Sequence, residues 1–357
     1  IYGVKMEFKV GKVNFNNSKC NVIAEAGVNH LGDMNIAEKL ISSAAKAGAD
    51  IIKFQTYKAK DLTTKSAPRF WNWSGEEKEN GSQYDSYSIL DKFEKDEYLE
   101  LKKLCKKYDI EFMSTPFSLE AAEMLIDIGM EAFKIASCDI TNLPFLKSIA
   151  KFNKPIMLST GASSINEIRT AVSEIHKINS SIQICIMHCI LCYPTEFKDA
   201  NLLMINDLRN NFPEFLIGLS DHTIGIQSCL ASIPLGVRVI EKHYTIDKTL
   251  PKSADHWLSI DTEELSYLKK YSNDVMLSLG QDTKEKIDCE DATYKFARRS
   301  IVSTTSINKG DEFTLSNLSC KRPGTGLEPA LLEKIIGKKA KINIKNDILV
   351  SLDDIDW

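Results

Sequence analysis

Eight short apolar runs separated by amphipathic stretches constrain this chain more than any other feature. The runs fall at 21–24, 51–54, 110–113, 132–136, 155–158, 183–187, 215–219 and 237–240. Each has strand length and is rich in Ile, Val or Phe, as strands buried on both faces are. Helical stretches lie between them. In Ile36-Ala37-x-x-Leu40-Ile41-x-x-Ala44-Ala45 the apolar residues recur at i, i+3 and i+4. The same spacing predicts helices at 93–107, 119–128, 143–152, 164–178, 200–210, 227–235 and 262–279. Gly48, Gly129, Gly236 and Gly280 stand where helices would stop in the left-handed conformation. Strand alternating with helix means parallel βαβ units. Eight units fit a closed (β/α)8 TIM barrel better than an open sheet, although periodicity alone does not separate the two.

Two segments break the rhythm. Residues 56–90 are polar but carry Trp71, Trp73, Tyr84 and Tyr87. A connection that long is usually functional, and solvated aromatics are costly, so a functional lid is expected. After Gly280 the texture becomes charged and then short and β-like, at 300–303, 312–314 and 341–344. The expected organisation is a barrel over 1–280, a linker over 281–297 and a small β-rich domain over 298–357. That last domain holds 10 Lys/Arg against 8 Asp/Glu, so it is not a basic module.

Lys plus Arg is 45 against 49 for Asp plus Glu, a net charge of −4. This gives no pull toward nucleic acid or an anionic membrane. No apolar run approaches a membrane span of roughly 20 residues. The start of the chain lacks the basic-then-apolar pattern of a signal peptide, and nine scattered cysteines give no disulfide framework. Both point to a cytoplasmic protein.

Polar residues interrupt or follow almost every apolar run, where a (β/α)8 barrel keeps its chemistry. One buried charge is explained by an internal salt bridge; eight coincident cases are not. Side chains alternate along a strand, so Lys53 shares a face with Gln55, Ser220 with His222 and Glu241 with His243. Lys53 and Lys134, converging on Thr115, Ser137 and Ser159, would make a pocket for phosphate or carboxylate. His222 and His243, from adjacent strand ends, could hold a divalent metal with open positions, or could simply orient neighbours. Ser220-Asp221-His222 is not a hydrolase triad, because Asp221 points away from its neighbours' face. Cys185-x3-Cys189-x2-Cys192 has the spacing of an iron–sulfur motif, but it lies within and just after a late strand, where free cysteines act as small hydrophobes.

In order along the chain, IAEAGVNHLGD from Ile23, IKFQTY from Ile52, STPFS from Ser114, KIAS from Lys134, LSTGA from Leu158, HC from His188, YPT from Tyr193, GLSDHT from Gly218 and EKHYT from Glu241 resemble the sialic acid (nonulosonate) synthase family. The tail, with KRPGTG at 321–326, resembles the family's antifreeze-like (SAF, β-clip) domain. The resemblance covers nearly the whole chain. It implies condensation of phosphoenolpyruvate with an N-acylated amino sugar to a nine-carbon 2-keto sugar acid, in a domain-swapped homodimer. It also implies that His222 and His243 bind Mn2+, or alternatively Mg2+ or Co2+. Lys53, Lys134, Thr115, Ser137, Ser159 and Ser220 would hold phosphoenolpyruvate. Glu25 would act as acid or base, and Gln55, Asp139, Tyr193 and Asp255 would line the sugar site. Arg322 would reach that site from the other subunit.

The chain departs from N-acetylneuraminate synthases at several places. Asp139 replaces a frequent Glu, Ile190-Leu191-Cys192 replaces a segment with an expected Asn, and Lys252-Ser253-Ala254-Asp255 replaces a Pro-Gly-Pro-Asp-like turn. The aromatic loop is enlarged. These changes imply a modified sugar of the legionaminate or pseudaminate type. The competing readings are another phosphoenolpyruvate–aldose synthase and a non-catalytic sugar-binding protein.

Overall fold

The computed structural model describes residues 8–71, 81–250 and 255–357. Trp73 and the turn at 252–254 therefore lie outside the described residues. The chain divides into two compact units, Ile1–Gly280 and Gln281–Trp357.

The first unit is built on eight parallel strands: β1 (Asn21–Gly27), β2 (Ile51–Thr56), β3 (Glu111–Pro116), β4 (Phe133–Ile135), β5 (Ile156–Ser159), β6 (Ile184–Cys189), β7 (Leu216–Asp221) and β8 (Val239–His243). Hydrogen-bonded neighbours run β3-β2-β1-β8-β7-β6-β5-β4. β3 and β4 close the ring side by side without a ladder. The TIM-barrel expectation is met. Six of the strands run two or three residues further than the apolar runs end. On β1, β2, β3, β6, β7 and β8 the polar residues at the ends are themselves strand, because a residue pointing into a lined cavity need not be apolar.

The helices are α1 (Met34–Lys46), α2 (Lys95–Lys107), α3 (Leu119–Asp127), α4 (Leu143–Ala150), α5 (Ile165–Ile178), α6 (Met204–Asn211), α7 (Gln227–Ser232) and α8 (Thr262–Ser278). α1 buries Ala37, Leu40, Ile41 and Ala44, the stripe its spacing predicts. The four expected glycine stops all have positive φ, from 57° at Gly280 to 104° at Gly236. The last turn before Gly236 is 3-10 helix (Ile233–Leu235), since Pro234 follows closely on α7.

The barrel interior is layered. Ile23, Ile51, Met113, Met157, Met187 and Val239 form an apolar floor. A hairpin of Phe8–Val10 and Val13–Phe15 plugs it from below, with Phe8 and Phe15 edge-to-face. Each strand alternates, so two residues further along the same inward face comes the polar layer: Glu25 above Ile23, Lys53 above Ile51 and Glu241 above Val239. The outward face between them packs on the helices.

The second unit holds helix Asp291–Phe296 and two antiparallel strand pairs, Ser300–Ser303 with Leu318–Lys321 and Lys339–Ala340 with Ile355–Asp356. Ile301, Phe313, Leu318, Ile335, Val350 and Ile355 form its core. Only 300–303 of the three expected strands is one. The stretch 312–314 makes a single bridge, at Glu312 to Lys339, and 341–344 a single bridge, at Ile344 to Ile307.

Alternation also places Lys242 and Asp221 on the outward face, where both are buried and paired at 2.7 Å, with Asp221 also accepting from Thr223. Removing one partner of a buried pair strands the other. Lys242→Met should destabilise the barrel by about 3–5 kcal/mol in denaturant unfolding. Adding Asp221→Asn should restore part of that loss. A fully additive double variant would show that the two charges do not depend on each other.

Candidate active site

The polar layer opens into a cavity of about 660 Å3 at the strands' C-terminal ends. Glu25, Lys53, Gln55, Thr115, Lys134, Ser137, Asp139, Ser159, Tyr193, Ser220, His222, His243 and Asp255 all line it. The structure thus brings together every expected site residue of the first unit. Arg322 is exposed on the second unit, just past Leu318–Lys321.

Two lysines and two carboxylates occupy the centre. Lys53 Nζ lies 2.7 Å from Glu25 Oε2 and donates to Thr115 Oγ1 at 3.0 Å. Glu241 Oε1 lies 3.7 Å from Lys53 Nζ and 3.5 Å from Lys134 Nζ, and accepts from Ser220 Oγ at 3.1 Å. Gln55 donates to Glu25 Oε1 at 3.2 Å. All four charged side chains are buried, so each charge is tolerated only through the others. Burial pushes the Glu25 carboxyl up to about 7, against the pull of Lys53. Burial also opposes the charge on Glu241, but Lys134, Lys53 and the Ser220 hydroxyl outweigh it and hold that carboxyl below its ordinary range.

Glu241 is the residue that sequence reasoning missed: alternation puts it on the face of His243 but assigns it no role. A signal does exist in the sequence. An acidic side chain inward on β8, level with Lys53 on β2 and Lys134 on β4, is what two buried ammonium groups require.

Hydroxyls complete the lysine-lined side of the cavity. Ser159 Oγ and Glu241 Oε2 are buried without a hydrogen-bond partner. Ser137 Oγ accepts from the Gly161 amide at 2.9 Å, which leaves its own proton to give. A Cβ at Gly161 would stand 2.9 Å from Ser137 Oγ and 3.2 Å from Cys189 Sγ and Leu191 Cβ. Only glycine fits so close an approach.

His222 and His243 face each other with ring centroids 5.4 Å apart. Tyr193 packs on both, at 4.1 and 5.9 Å. His222 Nδ1 donates to the Ile190 carbonyl at 2.7 Å; burial opposes charge on the ring, but Cys189 and that carbonyl outweigh it and raise the imidazole above its ordinary range. His243 Nδ1 makes no hydrogen bond and lies 3.6 Å from Asp255 Oδ2. Burial and the neighbouring His222 hold the His243 imidazole neutral, well below its usual range. Burial lifts Asp255 to about 6. Two facing imidazoles, one fixed by a backbone carbonyl, suit a divalent cation once the ring protons give way to it. Among the described residues no set of three or more His, Cys, Asp or Glu converges on one point. Any such ion would therefore keep positions for water or substrate. The three cysteines with iron–sulfur spacing do not converge either: Cys185 sits in the apolar floor, Cys189 beside His222 and Cys192 at the surface.

This arrangement sets a buried lysine–carboxylate cluster and a facing histidine pair in one cavity at the strand ends of a barrel, where barrel enzymes keep their active sites. The chain matches the NeuB family over residues 40–284 and the SAF domain over 298–356. It is 39% identical to the N,N'-diacetyllegionaminic acid synthase of Campylobacter jejuni, over 93% of this chain and 99% of that one. It is 37% identical to the synthase of the same name from Legionella pneumophila, over 91% of each. The crystal structure of the N-acetylneuraminic acid (sialic acid) synthetase of Leptospira borgpetersenii superposes with a TM-score of 0.72 at 36% identity, covering 82% of this chain and 96% of that one. The chain belongs to the NeuB family, and it is an enzyme of the nonulosonic acid synthase class. Among its described residues no helix is long and apolar enough to cross a membrane.

Gly161→Ala should push on Ser137 and take away its fixed position. Binding of inorganic phosphate, followed by thermal shift, should weaken about tenfold, the scale of one hydrogen bond to a charged group. Unchanged binding would remove Ser137 from the anion pocket.

Proposed function

We propose that the enzyme condenses phosphoenolpyruvate with an N-acylated amino sugar. The observation that carries this is the buried Lys53–Glu25–Glu241–Lys134 cluster, ringed by hydroxyls and set in one cavity with His222 and His243. The two ammonium groups, with Thr115, Ser137, Ser159 and Ser220, hold the phosphate and carboxylate of phosphoenolpyruvate. A divalent cation, Mn2+ by family resemblance, would be held by His222 and His243 and would polarise the sugar aldehyde. Gln55, Asp139, Tyr193 and Asp255 orient the open-chain sugar. C3 of phosphoenolpyruvate forms the new bond to the aldehyde carbon, whose oxygen takes up a proton. Water adds at C2, and phosphate leaves by cleavage of the C2–O bond. Glu25 gives or accepts protons in these steps, for which a carboxyl near neutrality is suited. The products are a nine-carbon 2-keto sugar acid and phosphate. The same reading assigns the enzyme to a domain-swapped homodimer in which Arg322 serves the sugar site of the other subunit.

The test is phosphate release from phosphoenolpyruvate with Mn2+ and a panel of N-acylated amino sugars. Release should require both sugar and metal. His222→Ala should keep its fold, lose bound Mn2+ in a metal assay and lose about 100-fold or more in kcat/KM. Full turnover by that variant after chelation would remove the metal assignment. Arg322→Ala should raise KM for the sugar and leave KM for phosphoenolpyruvate unchanged. An unaltered sugar KM would take Arg322 out of the site.

A further inference from the structure

Within the second unit, Arg322 directly follows the strand Leu318–Lys321 and opens the loop 322–326. Its side chain is exposed, and among the described residues no hydrogen bond or ion pair holds the guanidinium. Where that guanidinium can reach is therefore set by the backbone that carries it.

The backbone is pinned along its length. At the entry, Lys321 pairs with Ser300 across the two-stranded ladder. At the exit, the Ile301 amide donates to the Leu327 carbonyl at 2.9 Å. Between them, the Gly324 amide donates at 3.0 Å to the carbonyl of Lys295, in the last turn of helix Asp291–Phe296. One side chain holds what remains. Ser300 Oγ donates to the Pro323 carbonyl at 2.8 Å and accepts from the Gly326 amide at 2.8 Å. A hydroxyl has one proton to give and lone pairs to receive with, so both bonds are made at once. Ser300 is buried, and removing its hydroxyl would take from both backbone groups the partner each now has.

Glycines let the loop seat this closely. A Cβ at Gly324 would stand 2.7 Å from Arg298 Cβ and 3.3 Å from the Tyr294 carbonyl oxygen. A Cβ at Gly326 would stand 3.2 Å from Ser300 Cβ and 3.3 Å from Leu349 Cβ. Arg298 is itself held over the Tyr294 ring, 4.5 Å from its centroid. Loop 322–326 thus lies flush on residues 294–300.

Resting on the role proposed above for Arg322, we infer that Ser300 is its positioning residue. The Ser300 hydroxyl clasps the loop across Pro323 and Gly326 and presents the guanidinium already placed for the sugar. Ser300 touches no substrate. It acts because a cation on a fixed backbone has less ordering left to lose when its ligand arrives.

The experiment is a double-mutant cycle on the full chain with Mn2+, phosphoenolpyruvate and, in parallel, N-acetylmannosamine and 2,4-diacetamido-2,4,6-trideoxymannose. Ser300→Ala should raise KM about tenfold for a sugar that is turned over, and leave KM for phosphoenolpyruvate unchanged. In the Arg322→Ala background the same change should add no more than about twofold, because the loop then has nothing to position. A serine that only supports the fold would cost as much in one background as in the other. Gly324→Ala, which pushes the loop off Arg298 and leaves the hydroxyl in place, should repeat the pattern. It carries the test if Ser300→Ala melts below the assay temperature. Equal losses in both backgrounds, a shifted phosphoenolpyruvate KM, or an unchanged sugar KM in the folded variant overturns the clasp while the reading of Arg322 stands. An unchanged sugar KM in Arg322→Ala alone overturns that reading, and the clasp with it. No phosphate release by the unaltered enzyme with either sugar sinks the condensation on which both rest.

Discussion

The four-charge cluster inside the barrel is what the rest of the structure is arranged to permit. Two ammonium groups and two carboxylates out of water are each expensive alone. They coexist because Glu25, Lys53, Lys134 and Glu241 arrive from β1, β2, β4 and β8 at one level, above a dry floor sealed by the N-terminal hairpin. Lys53 reaches both carboxylates and Lys134 reaches Glu241. The two carboxyls differ: burial lifts Glu25 to about 7, whereas against the same burial the lysines and Ser220 hold Glu241 below its ordinary range.

The alternation of each strand does the sorting. On β8 the sequence Glu241-Lys242-His243 sends Glu241 and His243 inward and Lys242 outward to Asp221. On β7 the same rule sends Ser220 inward and Asp221 outward. A one-residue slip of register would exchange the two sets and put Asp221 where Glu241's neighbours expect Ser220. The outer pair thus holds the register on which the inner cluster depends. Two polar layers on opposite faces of the same strands are parts of one constraint.

The same constraint decides which parts are legible in the sequence. The helices and strand starts are, because burial on both faces leaves an apolar run and a 3.6-residue stripe that nothing else imitates. The positions of Lys53, Lys134, His222 and His243 are, because a charge at the end of such a run is too costly to keep without a partner or a ligand. Strand ends are not, since Gln55, Thr115 and Asp221 look like loop by composition yet keep the ladder going. Glu241 is visible but without a role, because a carboxylate reveals its purpose only when ring closure brings β2 and β4 within reach of β8. The small C-terminal unit is the least legible. Its strands are two to four residues long, too short for a period of 2 to register, and its folding rests on scattered residues such as Phe313 and Val350.

The long aromatic loop stands apart from both. Among its described residues, hydrogen bonds from Gln83 to Pro68 and from Arg69 to Ser86 tie the loop to itself. The fixed charges are thus carried by strands whose register cannot slip, while the aromatic rings lining the same cavity are carried largely by a loop. A strand-borne lysine and a loop-borne tryptophan answer to different parts of the fold.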